Sequence, residues 1–143
     1  VQAAELAARP SEAAAPGPDA TRPKLLDARA EGLAFPNWTE QFGWRATGQR
    51  VDEIEGRRAV TVFYAKEGRR IGYTILSGEA IEPPEGADTA VREGTRLRRL
   101  RADGRVIVTW PRGARTCVLS GAEVDAETLL DLAAWKGKGA VRF

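Results

Sequence analysis

Histidine is missing from all 143 residues. That removes the commonest general base, the commonest metal ligand and the ordinary pH sensor together. It also excludes any Ser-His-Asp or Cys-His nucleophilic pair. The single cysteine, Cys117, forms no intrachain disulfide and builds no cysteine zinc site. No apolar run approaches the ~20 residues that cross a bilayer as a helix. Methionine is absent too, and the chain opens on Val1 without the basic start and apolar centre of a signal peptide. It therefore reads as a fragment or processed product, with any membrane anchor expected in sequence outside it. A phosphate-cradling glycine loop is also lacking, because Gly137-Lys138-Gly139 follows a helical stretch instead of preceding one. These absences point away from catalysis: no catalytic residue, metal or cofactor is expected.

Charge of one sign is likewise lacking. Lys and Arg number 22 and Asp and Glu 20, a net of +2, so nothing in the balance announces a nucleic-acid partner. Most of the basic residues are arginine, which reads first as the imprint of a high-GC genome. The length suits one domain and a tail. Residues 1–30 read as a flexible stalk or linker, because 11–21 is mostly alanine, proline and glycine with almost nothing to bury. At its end, Lys24–Leu33 is a mild helical candidate near the domain boundary. Residues 31–143 read as a single domain.

Two stretches echo each other, V-T-V-F-Y-A-K-E-G-R-R-I-G-Y-T-I-L-S-G over Val60–Gly78 and V-I-V-T-W-P-R-G-A-R-T-C-V-L-S-G over Val106–Gly121. Each has β-branched and aromatic arms around a glycine turn, which predicts a β-hairpin. In this echo Cys117 answers Thr74. Glu55-Gly56 predicts a third pairing, between 45–50 and 57–64, and Asp103-Gly104 a fourth between Thr95–Ala102 and Arg105–Trp110. The run Leu97–Leu100 breaks strict alternation and suggests a bulge. Asp125–Trp135 predicts a helix capped by Asp125, with Val124 and Leu129 placed as a hydrophobic staple and Lys136 and Gly137 as its stop. The expected fold is α+β: an antiparallel sheet of about six strands built from repeated hairpins, with a C-terminal helix packed on it.

Three groups of residues are candidates for function. Phe35, Trp38, Phe42 and Trp44 lie within ten residues broken by Pro36 and Gly43. They form either an irregular cover over the core or, if exposed, an aromatic recognition surface. Arginines are dense between Arg92 and Arg115, and Arg96, Arg98, Arg99, Arg101 and Arg115 are candidates for a basic face that takes an anionic ligand or surface. Charged edge strands that block aggregation give the same pattern. Cys117 is either a small core residue or a redox thiol activated by Arg115. Acids gather at Asp52, Glu53 and Glu55 and at Glu79, Glu82 and Glu85, without the alternating oxygen ligands of a calcium loop, and read as solvated turns.

The strings F-P-N-W-x-x-x-F-G-W-R-A-x-G, T-V-F-Y-x-x-x-G-R-R-I-x-Y-T-I-x-S-G and T-W-x-R-G-x-x-T-C-V-L-S-G, followed by a leucine-rich helix, resemble the extracytoplasmic domain of transmembrane anti-sigma factors from high-GC bacteria. The resemblance runs from Phe35 to about Trp135. It implies a cytoplasmic domain that holds a sigma factor, often with a His-x3-Cys-x2-Cys zinc motif, and one membrane helix leading to an outer sensory domain. Neither zinc motif nor span occurs in this chain, so no functional residue carries over. The reading that results is a non-catalytic sensory or regulatory domain on the outer face of the membrane, controlling transcription through a signal or partner outside. The alternative is a stand-alone binding module that uses the basic sheet face.

Overall fold

The computed structural model describes residues 5–81 and 86–135. Among these described residues nine strands form: β1 (Leu25–Ala30), β2 (Leu33–Pro36), β3 (Arg45–Ile54), β4 (Arg57–Lys66), β5 (Arg69–Leu76), β6 (Asp88–Arg92), β7 (Thr95–Ala102), β8 (Arg105–Arg112) and β9 (Arg115–Gly121). A short α1 (Thr39–Phe42) and a C-terminal α2 (Ala126–Ala134) complete the α+β fold. One seven-stranded antiparallel sheet runs β3-β4-β5-β9-β8-β7-β6, and β1-β2 is a separate pair. Two meanders, β3-β4-β5 and β7-β8-β9, thus meet through their last strands.

An acidic residue followed by glycine closes most of the hairpins. Glu31-Gly32, Glu55-Gly56, Glu67-Gly68, Glu93-Gly94 and Asp103-Gly104 all hold positive φ at both positions. That geometry makes a type I′ turn, whose twist matches the strands it joins. In pairing, Val60 faces Ile75 and Tyr64 faces Ile71, while Val106 faces Gly121 and Trp110 faces Cys117. The structural counterpart of Cys117 is therefore Ile71 and not Thr74. No bulge interrupts β7. Leu97 and Leu100 lie on opposite faces, and each finds an apolar cover there. The register shifts fall instead in β1 and, at Ala46–Gly48, in β3.

One face of the sheet carries Val62, Tyr64, Ile71, Tyr73, Val108, Trp110 and Leu119, covered by the β1-β2 hairpin, α1 and α2. Asp125 caps α2 by accepting from the Thr128 N–H at 2.8 Å. Val124 and Leu129 are buried in the same cluster, as a staple requires. The expected stop at Lys136 and Gly137 lies outside the described residues.

The boundary expected at residue 30 is displaced by the packing. Leu25, Leu26 and Ala30 belong to the core, because β1 pairs with β2 instead of forming a helical turn. Upstream, a 3-10 turn at Leu6–Ala8 buries Leu6 and Ala7 on the far face of the sheet, against Gly72 and near Ala59, Leu76, Ile107 and Val118. The chain then rounds the outer edge of β3, where Ala13 bridges Gln49, and reaches β1 through a bridge from Pro18 to Leu26. Residues 5–19 are a strap laid along the domain, in place of the free stalk expected.

Candidate functional site

The aromatic segment is core. Phe35 and Trp38 are 0% exposed and Trp44 3%. Trp38 lies 4.6 Å from Tyr64 and 5.8 Å from Tyr73, ring centre to ring centre, and Phe35 lies 5.3 Å edge-on from Tyr73. The Tyr64 hydroxyl donates to the Pro36 carbonyl at 2.7 Å, which locks the segment to the sheet. Phe42, half-buried, meets Trp135 edge-on. An exposed recognition surface needs rings in solvent, so the covering role is the one these four residues fill. Sheet residues Tyr64 and Tyr73 supply the flat partners of Phe35 and Trp38.

Cys117 is fully buried, and burial pushes its thiol up to about 11 despite the neighbouring Arg112 guanidinium. A redox sensor needs a thiolate within reach of solvent. This thiol has neither. Arg115, expected to activate it, points elsewhere, donating to the Gly78 carbonyl at 2.9 Å and pairing with Glu31 at 3.5 Å. The cation beside the thiol is Arg112, 4% exposed, whose Nη1 donates to the Tyr73 hydroxyl at 2.8 Å.

Strand alternation divides the arginine candidates between two faces. Arg99, Arg101 and Arg115 share the helix-side face with Leu97 and Cys117. There Arg99 lies near Asp88 and Glu127, at 3.9 and 3.7 Å. Arg96 and Arg98 sit on the far face, and among the described residues no acid pairs with either. A single basic face of five arginines is thus reduced to two, because residues one apart in a strand point oppositely.

Those two arginines line a groove of about 340 Å³ with Ile81, Thr109, Pro111 and Thr116. Pro111 makes it. The β8-β9 hairpin closes on the pair Arg112 and Arg115, so the next pair outward, Pro111 and Thr116, turns its backbone groups away from β9 and toward β7. Proline has no N–H to offer there. The ladder between β7 and β8 accordingly ends at Arg98 and Thr109, while β8 continues beside β9 alone. Past that point β7 separates from β8, leaving Arg96 and Arg98 on one wall and Pro111 and Thr116 on the other. Ile81 covers one end, held by its N–H donating to Thr116 Oγ1 at 2.7 Å. Neither Ile81, Pro111 nor Thr116 was a candidate from sequence, although a proline inside a strand pattern was a visible signal.

The acids divide as well. Asp52 on the far face accepts two hydrogen bonds from Arg50, at 2.7 and 2.8 Å. Glu53, Glu55 and Glu79 are exposed, and Glu82 and Glu85 lie outside the described residues. Among the described residues no three acids, cysteines or histidines gather as a metal set, and no helix is long and apolar enough to cross a membrane. No family model, curated protein or solved structure matches the chain.

Proposed function

We propose that this chain is the non-catalytic extracytoplasmic domain of a membrane-tethered anti-sigma factor, controlling transcription by receiving a signal or partner outside the membrane. The observation that carries this reading is the strap. The segment that leads toward the N-terminal side is held across the domain chiefly by hydrogen bonds to its own backbone. Arg70 donates to the Ala7 carbonyl at 3.0 Å, Arg50 to the Pro10 carbonyl at 2.7 Å, and Gln49 exchanges backbone bonds with Ala13. An attachment of that kind detaches without loss of the main core. In the proposal, ligand, partner or cleavage at the domain changes how the strap is held, and the change passes through the membrane helix to release a sigma factor inside.

The test is the full-length gene product. The expected outcome is a membrane helix encoded upstream of Val1, this domain outside by reporter-fusion topology, and co-purification of a sigma factor with the cytoplasmic part. A reading frame without such a helix, or substrate turnover by the purified domain, overturns the proposal.

A further inference from the structure

We propose that the groove between β7 and β8 binds a small amphipathic anion, with its phosphate or carboxylate between Arg96 and Arg98 and its apolar body along Pro111 and Ile81. The inference goes beyond the regulatory reading and stands whether or not a sigma factor is involved.

Four observations converge on it. First, the depression is built by the chain, since Pro111 stops the β7-β8 ladder where a donor is required. Second, its volume of about 340 Å³ falls at the lower end of small-ligand sites. Third, Arg96 and Arg98 stand two apart on one strand and so project to one side, and among the described residues no carboxylate neutralises them. On the opposite side Arg99 has two acids near it and Arg115 has one, while Arg101 has no ion pair among the described residues. Fourth, the remaining wall is apolar and only partly covered. Ile81 is 48% exposed and stands with Pro111 along the groove. A large aliphatic side chain left in solvent beside uncompensated cations matches a ligand that brings both an oxyanion and a hydrocarbon.

Two of the hydroxyls lining the groove are engaged, Thr109 donating to the Cys117 carbonyl at 3.0 Å and Thr116 accepting from the Ile81 N–H, which leaves that of Thr95. Charge recognition falls to the two guanidiniums, whose forked donors match the oxygens of a phosphate or carboxylate. A neutral sugar or a cation finds little to hold it there. A free inorganic anion gains the charge contacts but leaves Pro111 and Ile81 wet.

The probe is monomeric n-octyl phosphate, titrated calorimetrically into the intact chain below its micelle concentration. One saturable site with a Kd on the order of 0.1 mM is expected. Inorganic phosphate and octanol are each expected to bind at least roughly tenfold more weakly, since each supplies half of the contacts. Arg98→Gln and Arg96→Gln should each weaken octyl phosphate by roughly tenfold. Arg101→Gln, on the same strand but the other face, should leave it unchanged. Pro111→Thr restores the missing donor, lets β7 close on β8 and should abolish binding. The arginine variants lie at the surface and leave the core intact, so they decide the matter even if the proline variant folds poorly.

Absence of saturation in the millimolar range overturns the inference. So does inorganic phosphate binding as tightly as octyl phosphate, or an Arg101→Gln loss equal to that of Arg98→Gln, which is the mark of diffuse charge. Vesicles of phosphatidylcholine and phosphatidylglycerol separate a bilayer from a free amphiphile. Sedimentation with such vesicles while monomeric octyl phosphate fails to bind assigns the arginines to a membrane surface and overturns the groove.

Discussion

The helix-side face of the sheet is closed by rings that interlock, with Tyr64 and Tyr73 from the strands against Phe35 and Trp38 from the cover, and Trp110 edge-on to Tyr73. The far face sets the small and hydroxylated Thr61, Gly72, Thr74, Thr116 and Ser120 among Phe63, Ile107 and Val118; Arg70 lies over the Phe63 ring, and the strap that crosses this face buries only Leu6 and Ala7 of its own. The two covers differ in what holds them. Burial of a large aromatic is worth several kcal/mol and is lost only when the core opens. A strap that buries one leucine gains about 2 kcal/mol from it. The rest of its attachment is hydrogen bonding of its backbone to Arg50, Arg70 and Gln49, each worth about 1–3 kcal/mol net, beside ion pairs of Arg9 with Asp52, Glu12 with Arg50 and Asp19 with Arg29. Covers built that way open locally, well below the free energy of global unfolding. The inference is that one face makes the domain stable and the other is where its contacts are exchanged.

Trp38→Ala tests the first half of that contrast and carries the largest expected effect. It leaves a cavity against Tyr64 and Tyr73 and should cost about 3–5 kcal/mol, read as a lower urea midpoint for the whole domain. A loss below about 1 kcal/mol means that the aromatic cover is not the keystone described.

Gly72→Val addresses the other face. A Cβ at Gly72 falls 2.7 Å from the Ala7 Cβ and 2.8 Å from its Cα, so the strap must lift. Amide exchange over residues 6–13 should speed by at least roughly tenfold, while the global midpoint moves by no more than about 1–3 kcal/mol. Cys117 supplies the internal control. Buried beneath the other cover, it should label with a neutral thiol reagent only at the rate of global unfolding, in the variant as in the parent. Fast labelling of Cys117 in Gly72→Val means that the faces are coupled and the contrast is lost.

The sequence disclosed the hairpins more readily than the covers. Glu55-Gly56 and Asp103-Gly104 announced their turns because alternating, β-branched arms flanked them. Glu31-Gly32 and Glu93-Gly94 have the same turn chemistry, but their arms, L-L-D-A-R-A and D-T-A-V-R, are rich in residues equally at ease in a helix or loop. Tertiary pairing overrode that local preference. The strap was hidden for a related reason. An alanine-proline stretch has little to bury of its own, and what it packs against, Gly72, Gly48 and two arginine side chains, lies far along the chain. The arginine density was legible, but its division between faces required the register of β7. The groove required one thing more, namely that the β9 hairpin turns the missing donor of Pro111 toward β7.

Asp125→Ala is expected to cost about 1 kcal/mol, because it removes the cap of α2. Since α2 covers β6 to β9, the loss should appear in the global midpoint and leave the strap's exchange unaltered.

Acid titration gives the smallest and most discriminating effect. The Asp52 carboxyl is held below the usual range, first by its hydrogen bonds from Arg50 and then by the charges of Arg50 and Arg9. Asp19, at the far end of the strap, is brought down to about 2 by the N–H and hydroxyl of Thr21 and by the Arg22 N–H. A carboxyl with a depressed folded pKa stabilises the folded state fully above its unfolded value, and that contribution is lost as the pH falls through the folded one. Both acids tie down the strap, so its amides should lose protection between pH about 4 and about 2. Asp125 is depressed as well, by the Thr128 N–H, so the helix-side cover has an acid step of its own. Asp52→Asn separates the two. It loosens Arg50, the donor to the Pro10 carbonyl, at neutral pH and flattens the acid dependence of exchange over residues 9–13. The acid response of α2 should stay as it was. If exchange over residues 9–13 in the variant still speeds on acidification as steeply as in the parent, the anchor of the far face is not the Arg50–Asp52 pair, and the division between a fixed cover and a releasable one must rest on Leu6 and Ala7 with the bonds from Arg70 and Gln49.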